Sequence, residues 1–303
     1  MIWPKLTILL FAMAVTVVEV RAGETMTFVF QRDAADVNDY AWKALREALE
    51  RTRETYGDFR LEASPSVSDR PRRLALEAGE FGININVFPD SGDIGDALLP
   101  VPIPVDRGML GYRVLFIRAE DQEKFDRVKG FDDLAGFRFG SLTSWVDTRI
   151  MRDAGLTVVP GASHDGLFHM LTAKRFDALN RSVTEVVQES KKFSGQLQDV
   201  AIERHLLLHY PIPSYFWVVN NAQGKLMAER VQAGLGRMVE DGTLQAFFNA
   251  EFHEVIAALD LDHRLVIDLP NATLRTRDPL EDPRLWYEPR HAYGSGATLW
   301  AAP

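Results

Sequence analysis

Three polar residues directly after a predicted strand are the best candidates for ligand chemistry in this chain. The run Phe176 to Leu179 is typical of a strand, and Asn180, Arg181 and Ser182 follow it. A guanidinium at a strand end presents a planar, permanently charged fork to a carboxylate or phosphate, and the neighbouring amide and hydroxyl can add hydrogen bonds. We predict that these residues bind an anionic group. The alternative for Arg181 is a surface ion pair.

A second polar cluster surrounds the predicted N-terminus of a helix. Ser144 and Thr148 bracket it, and Trp145 and Asp147 lie in the same turn. Free amides and hydroxyls at a helix N-terminus favour an anionic group, although plain helix capping uses the same residue types. Trp145 is either a stacking wall for a ligand or a cover over the core. We predict that these four residues line the same site as Arg181.

Arg113 is a further candidate, because it lies in a strand that joins two parts of the chain. The preceding stretch, 100–104, carries three prolines, which lack an amide donor and exclude a helix or a central strand. Gly111 to Ile117 follows as an apolar strand that contains Arg113. The Arg113 side chain either faces the ligand or forms an ion pair at the junction.

The histidine spacing and the absence of cysteine argue against a metal centre or a thiol reaction. His205 and His209 would share a face of a helix, with Glu203 nearby, but no HExxH pattern or third ligand accompanies them. The chain has no cysteine, so disulfides, thiol catalysis and thiolate metal sites are excluded. It also lacks a GxSxG sequence, a phosphate-binding glycine loop and a dinucleotide fingerprint. We therefore predict no cofactor, no metal and no catalytic residue.

The net charge restricts the partners that the chain can have. Acidic residues outnumber basic ones by 43 to 34, which gives a formal net charge of −9. Binding to nucleic acid or to anionic lipid needs clustered lysine and arginine. We predict a small-molecule ligand and no nucleic-acid partner.

The N-terminus has the layout of a secretory signal peptide. Lys5 supplies a positive charge, Leu6 to Val18 is an apolar run, and Val20 and Ala22 provide small residues before Gly23. The apolar run is shorter than the roughly 20 residues that span a bilayer, which disfavours a membrane anchor. We predict export to the periplasm, cleavage near Ala22, and no membrane insertion of the mature chain.

Strand-like and helix-like segments alternate along the chain, which is typical of an α/β protein. Thr25 to Gln31 and Tyr215 to Asn220 are rich in β-branched and aromatic residues and predict strands. Val37 to Leu49 and Lys225 to Asp241 have apolar residues at helical spacing. The other predicted strands are 59–63, 83–88, 137–140 and 156–159, and the other predicted helices are 69–78, 144–152, 165–173, 183–190 and 244–258.

Two extended crossings, near 112–117 and 211–217, divide the mature chain into two lobes with a gap between them. Ligands of open α/β sheets sit beyond the carboxyl ends of the strands, so this gap is the predicted ligand site. The predicted division is a signal peptide at 1–22, a discontinuous first lobe at 23–112 and 217–268, an inserted second lobe at 113–216, and an extended surface tail at 269–303.

Several motifs occur in an order that resembles the solute-binding proteins of amino-acid ABC transporters, the bacterial extracellular solute-binding family 3. Asp133 to Gly140 (DLAGFRFG) resembles the entry into the second lobe of that family, and Gly166 to Ala178 resembles its following helix and strand. Tyr215 to Asn220 resembles the return strand, and Leu226 to Arg230 and Met238 to Leu244 resemble the helix after it. The resemblance covers roughly residues 25 to 260.

The resemblance implies a two-lobed, type II periplasmic-binding fold with two hinge strands, and capture of a small polar solute by closure of the lobes. It implies that a transporter permease or a sensor reads the closed form. It also implies that Phe30 is an aromatic wall of the pocket, the alternative being core packing. The sequence departs from the family at Asp90 to Asp96, which lacks the usual carboxylate-binding arginine, and at Arg181, which stands near the usual aspartate.

Two other functions remain open at this stage. One is a periplasmic enzyme on the same fold, such as a dehydratase of the cyclohexadienyl type, which needs a general acid; Asp147 and His169 are the candidates. The other is a scaffold component of an envelope system that binds no free solute. We favour solute binding, because no catalytic motif is present.

Overall fold

Three sheets, of two, three and eight strands, are flanked by helices in the described part of the chain. The two smaller sheets and their helices are called the first unit, and the eight-stranded sheet and its helices are called the second unit. The computed structural model describes residues 25–32, 39–67, 70–192, 199–274, 281–289 and 293–294. The predicted signal peptide therefore lies outside the described residues. The predicted α/β class is confirmed. The strands are β1 (Met26–Arg32), β2 (Phe59–Val67), β3 (Ile85–Pro89), β4 (Leu98–Val101), β5 (Tyr112–Arg118), β6 (Arg138–Leu142), β7 (Thr157–Gly161), β8 (Ala178–Ser182), β9 (Val200–Ile202), β10 (Leu206–His209), β11 (Ser214–Val219), β12 (Leu265–Asp268) and β13 (Tyr293–Gly294).

The helices lie between the strands, as the alternating pattern predicts. They are α1 (Asp39–Glu50), α2 (Arg53–Tyr56), α3 (Arg72–Glu77), α4 (Gln122–Phe125), α5 (Val146–Asp153), α6 (His164–Thr172), α7 (Val183–Lys192), α8 (Ala222–Glu240) and α9 (Thr243–Ala258). Among the described residues, no helix is both long and apolar enough to cross a bilayer.

The first sheet region contains β3, β11 and β4 in that order, with the parallel pair β1–β2 beside it. Asn84 joins the two parts, because its backbone N–H donates to Val29 O at 3.0 Å and its side chain donates to Thr27 O at 3.0 Å. Strand β4 contains Pro100 at the edge of the three-stranded sheet, a position that proline tolerates. The stretch 100–104 therefore begins as an edge strand.

The second sheet runs in the order β13-β12-β10-β5-β8-β6-β7, with β9 also paired to β5. Strands β6, β7 and β8 are parallel, and β5 is antiparallel to β8 and β10. The carboxyl ends of β6, β7, β8 and β10 therefore lie at the same edge as the start of β5. This edge carries most of the predicted site residues.

Helix α8 illustrates how the sequence produces the first unit. Its N-cap Asn221 accepts a hydrogen bond from the Gly224 N–H at 2.8 Å, and Gly242 ends the region with a φ of 78°. Most of the apolar residues at helical spacing face inward, and the helix packs against α1, β4 and β11. The fully or almost fully buried members of this stripe are Met227, Val231, Leu235 and Met238.

The chain passes between the two sheets by the segments 102–111 and 210–213, close to the two predicted crossings. It returns a third time after α9, because β12 pairs with β10 of the second sheet and not with the first sheet. Leu265 and Ile267 of β12 are buried in the core of the second sheet. The predicted lobe boundaries placed 265–268 in the first lobe, and the predicted tail also contains buried side chains, at Leu269, Trp286 and Tyr287.

Candidate functional site

A buried polar network joins both crossings to the start of α5. Asp147 Oδ1 lies 2.8 Å from Arg113 Nε and accepts hydrogen bonds from Tyr210 OH at 2.5 Å and Asn180 Nδ2 at 3.2 Å. Arg113 Nε also donates to Tyr210 OH at 2.8 Å. Since Arg113 begins the second sheet and Tyr210 leaves it, the network fixes the junction of the two units.

The strand register and the helix start place these side chains together. Arg113 pairs with Leu208 of β10 and Ser182 of β8 in the sheet. Asn180 lies on β8, which is separated from β10 by β5. Asp147 occupies the first turn of α5, directly after β6 and its turn. Arg113, Asn180 and Asp147 are thus brought together at the carboxyl edge of the second sheet.

The Asp147 carboxylate is ionised, and its Oδ1 accepts hydrogen bonds from the protein. Burial alone would raise the pKa of Asp147, but the Arg113 guanidinium and the Tyr210 hydroxyl bring this pKa below its ordinary value. The side chain of Asp147 keeps 14% of its surface exposed. Within the described ranges, no other residue donates a hydrogen bond to Oδ2. Oδ2 is therefore the oxygen of Asp147 that has no donor from another described residue.

Arg113 and Tyr210 keep the protonation states that hold Asp147 in place. Burial would lower the pKa of Arg113, but Asp147 raises it above its ordinary value. Burial raises the pKa of Tyr210, so its hydroxyl stays neutral and donates to Asp147. The network therefore contains one guanidinium and one carboxylate, with a neutral phenol and a neutral amide between them.

Arg181 already has protein partners for its guanidinium. Its Nε donates to Glu189 Oε2 at 2.7 Å, and its Nη2 donates to Glu185 Oε2 at 2.9 Å and to the other Glu189 oxygen. The guanidinium also lies over the Trp145 ring, with its carbon 4.2 Å from the centroid. The predicted binding of a ligand anion by Arg181 requires the exchange of these ion pairs, and it stays a prediction.

Of the three predicted hydroxyls near the network, two form hydrogen bonds within the protein and one is exposed to solvent. Thr148 Oγ1 donates to Leu142 O at 2.6 Å and lies 2.8 Å from Ser141 Oγ, so it ties α5 to β6. Ser182 Oγ lies 2.9 Å from Thr184 Oγ1. Ser144 is exposed at the helix start. Of the three predicted hydroxyls, Ser144 is the one that faces solvent.

Phe30 lies in the first unit, at the end of β1. Its ring stacks on Trp42 with the centroids 4.3 Å apart, and both rings are half-buried against the core. The Arg72 guanidinium lies over the other ring, 5.8 Å from the Trp42 centroid. Phe30 is thus part of an aromatic and basic cluster in the first unit, separate from the Asp147 network.

One contact links the predicted site to the first unit. Arg149 of α5 donates from Nη2 to Ser91 O at 3.0 Å, and Ser91 follows the carboxyl end of β3. The carboxyl edges of the two sheets therefore approach each other beside Asp147. Sequence reasoning missed Arg149 and Tyr210; the only signal for Tyr210 was its place next to Pro211 in the return crossing.

The histidines singled out in the sequence lie in and beside a strand, not a helix. His205 Nε2 bonds to Val128 O at 2.9 Å, and His209 Nδ1 lies 2.9 Å from Asp268 Oδ1. Glu203 accepts the backbone N–H groups of His205 and Leu206. In the part of the chain that the structure describes, no group of three or more His, Cys, Asp or Glu side chains could hold a metal ion.

Comparison with solved structures finds similar chains among binding proteins. The L-cystine solute receptor of Neisseria gonorrhoeae, in an unliganded open conformation, is 16% identical with a TM-score of 0.47, covering 77% of this chain and 94% of its own. An ancestral arginine-binding protein bound to arginine is 16% identical with a TM-score of 0.43, over 77% and 99% of the two chains. A histidine kinase sensor domain similar to periplasmic binding proteins is 14% identical with a TM-score of 0.43, over 75% and 95%. The likeness concerns the fold alone.

No protein-family model and no curated protein matches the sequence.

Proposed function

We propose that this chain is a solute-binding protein that holds a small, polar, amino-acid-like molecule between the carboxyl edges of its two sheets. The observation that carries the proposal is the Asp147 carboxylate. Its Oδ1 is fixed by Arg113, Tyr210 and Asn180, while Oδ2 has no donor from another described residue. An ammonium or hydroxyl of a solute would complete this hydrogen bonding at the mouth of the junction.

The surroundings of Asp147 support a polar ligand with more than one kind of group. Ser144 is exposed beside it, and the first backbone amides of α5 lie at the same place, where a carboxylate is favoured. Trp145 offers an aromatic surface that Arg181 partly covers. A molecule with an ammonium for Asp147 and a carboxylate for the helix start would use both features.

Arg113 and Tyr210 give a physical reason why ligand binding and lobe movement would be coupled. Both lie where the chain passes between the sheets, and both contact the residue that we propose to bind the ligand. A ligand that also contacts the first unit near Ser91 would favour the closed arrangement by its differential affinity.

The same residues argue for binding over catalysis. A dehydratase-like reaction needs a general acid, but Arg113 and Tyr210 oppose the effect of burial and lower the pKa of Asp147, which favours its ionised form. The other candidate, His169, is exposed on α6. Neither residue fits the role of a proton donor in the gap.

We also propose that the chain is exported and that its closed form is read by a transporter permease or a sensor. The supporting features are the signal-peptide pattern at residues 1–22 and the order of family-like motifs. The acidic net charge of −9 fits a chain that does not bind nucleic acid.

A thermal-shift screen of the purified mature chain tests the solute-binding proposal. The panel contains amino acids, dicarboxylates, sugars and phosphates, each with its ionic strength matched. A ligand at about 100 times its dissociation constant stabilises a folded protein by about 2.7 kcal/mol. We expect an amino-acid-like compound to raise the melting temperature, and Asp147→Asn to remove that rise.

Asp165→Asn is the matched control, because it removes the same charge from an exposed side chain on α6. It should leave the ligand-induced rise unchanged. A panel without any stabilising compound would contradict the solute-binding proposal. A rise of equal size in Asp147→Asn would place the ligand elsewhere.

A further inference from the structure

An open cavity of about 900 Å³ lies outside the region between the two carboxyl edges. Its walls are α9, the turn Leu261–His263 and the segment around Pro283–Leu285. Arg107, from the first connection between the sheets, also lines it. The volume is within the range of pockets that hold small organic ligands.

Arg107 is a buried guanidinium that has no carboxylate partner among the described residues. Only 7% of its surface is exposed. Its Nη2 donates to the Trp286 carbonyl at 2.6 Å and the Arg284 carbonyl at 3.3 Å, while Nε is buried without a hydrogen bond. Burial lowers the pKa of Arg107, as expected for a cation whose charge is poorly compensated.

The backbone around Arg107 is held in an unusual conformation. Arg107 has a φ of 50°, which is uncommon for a residue with a side chain. The next residue, Gly108, has a φ of 72°, and a Cβ there would meet the Trp286 ring at 2.4 Å. The Tyr287 N–H donates to Arg107 O at 2.8 Å. The C-terminal segment therefore fixes Arg107 in place in the cavity lining.

The facing wall offers hydrogen-bond donors from α9. Gln245, Asn249 and His253 follow one another at intervals of one helical turn, and all three line the cavity. Gln245 Nε2 donates to Asn249 Oδ1 at 2.7 Å, which leaves the Asn249 amide N–H groups to donate to a ligand. The wall is therefore polar, and the buried cation lines the same cavity.

Three acidic residues line the cavity, and two of them pair with other residues of its lining. Asp260 pairs with His263, and Asp262 accepts a hydrogen bond from Tyr287 OH at 3.1 Å. Glu288 is exposed and forms no ion pair with Arg107 among the described residues, although its charge opposes the effect of burial on the pKa of Arg107. Arg107 therefore remains the only buried charge that faces the cavity in the described part of the chain.

We propose that this cavity is a second ligand site, in which Arg107 and the amide of Asn249 bind the carboxylate or phosphate group of a small organic anion. A guanidinium matches the planar arrangement of oxygens in both groups. The bound anion would supply the countercharge that the buried Arg107 lacks. The rest of the ligand would lie along α9, beside His253.

Titration of the full-length mature protein with inorganic phosphate, citrate and benzoate tests this proposal. Heat release and melting temperature are followed at fixed ionic strength. We expect at least one of these anions to bind saturably, and Arg107→Met to weaken it at least about tenfold, since charge-assisted hydrogen bonds are lost. Phosphate without the other two, or the carboxylates without phosphate, identifies the group that is bound.

Three further variants keep the test independent of folding at Arg107 and of the proposed solute site. Asn249→Asp adds a negative charge on the side of α9 that lines the cavity, and it should weaken the binding of the anion by a similar factor. Arg284→Met removes an exposed cation from the same C-terminal segment and should have no effect. Asp147→Asn should retain anion binding, which separates this site from the proposed solute site.

Three outcomes would overturn the proposal. They are no saturable binding of any of the three anions, equal binding in Arg107→Met, and equal binding in Asn249→Asp.

Discussion

Arg107 lies on the first connection between the two sheets and Arg113 lies just after it, in β5, yet their surroundings differ. Arg113 contacts the Asp147 carboxylate at 2.8 Å and is 4% exposed. Arg107 is 7% exposed and donates to backbone carbonyls. Burial alone lowers the pKa of either guanidinium, but only Arg113 has a nearby carboxylate that reverses this effect. Arg113 therefore belongs to a buried ion pair, whereas Arg107 forms no ion pair with a described residue.

The two arginines differ in whether the protein itself supplies a carboxylate partner. At the junction, Arg113 Nε contacts Asp147 and Tyr210, and Oδ2 of Asp147 has no donor from another described residue. At the cavity, backbone carbonyls accept from one nitrogen of Arg107, the Phe248 ring lies under its guanidinium, and Nε has no hydrogen bond. The two regions should therefore respond differently to the same substitution.

Replacement of each arginine by methionine tests this difference with the largest expected effect on stability. Arg113→Met leaves Asp147 buried without its cation, and removal of one member of a buried ion pair costs about 3–5 kcal/mol. Arg107→Met removes an uncompensated buried charge along with its carbonyl bonds, so the two effects oppose each other and the net change should be about 1 kcal/mol or less. Urea unfolding of both variants measures the free energies. Equal losses in the two variants would contradict the distinction.

Two tyrosine substitutions sharpen the comparison with a smaller effect. Tyr210→Phe removes a hydroxyl that accepts from Arg113 and donates to Asp147, which leaves buried polar groups incomplete. We expect a loss of about 1–3 kcal/mol. Tyr287→Phe removes a hydroxyl that donates to Asp262 near the cavity, and the expected loss is about 1 kcal/mol. The same urea titration measures both free energies of unfolding. A larger loss for Tyr287→Phe than for Tyr210→Phe would contradict the greater importance of the Asp147 network.

The sequence predicted much of the fold, because alternating strands and helices have strong local patterns. The predicted strands at 25–31, 111–117 and 215–220 and the helix at 225–241 match observed elements closely. Strand β12 was missed, because a run of four residues has little pattern of its own. Its place is decided by β10, which precedes it by more than fifty residues and supplies the pairing.

The candidate site was predictable where residues follow strand ends and helix starts, and unpredictable where contacts join distant parts. Asp147 was found from its place at a helix start, and Arg113 from its place in a crossing strand. Asn180 was predicted to follow a strand but lies inside β8; the three side chains do lie together. Tyr210 was missed, because its contact with Arg113 spans 97 residues of sequence. Glu185 stands four residues after Arg181, in the first turn of α7, and this short separation could have suggested the ion pair.

A crystal structure of the mature chain with the stabilising compound from the panel would show whether Asp147 binds a solute between the two sheets, as we propose. We expect a donor group of the compound within hydrogen-bond distance of Asp147 Oδ2, with the body of the compound between α5 and the segment around Ser91. Density for the compound away from Asp147, with the gap beside Ser91 filled by the protein's own side chains, would contradict the account.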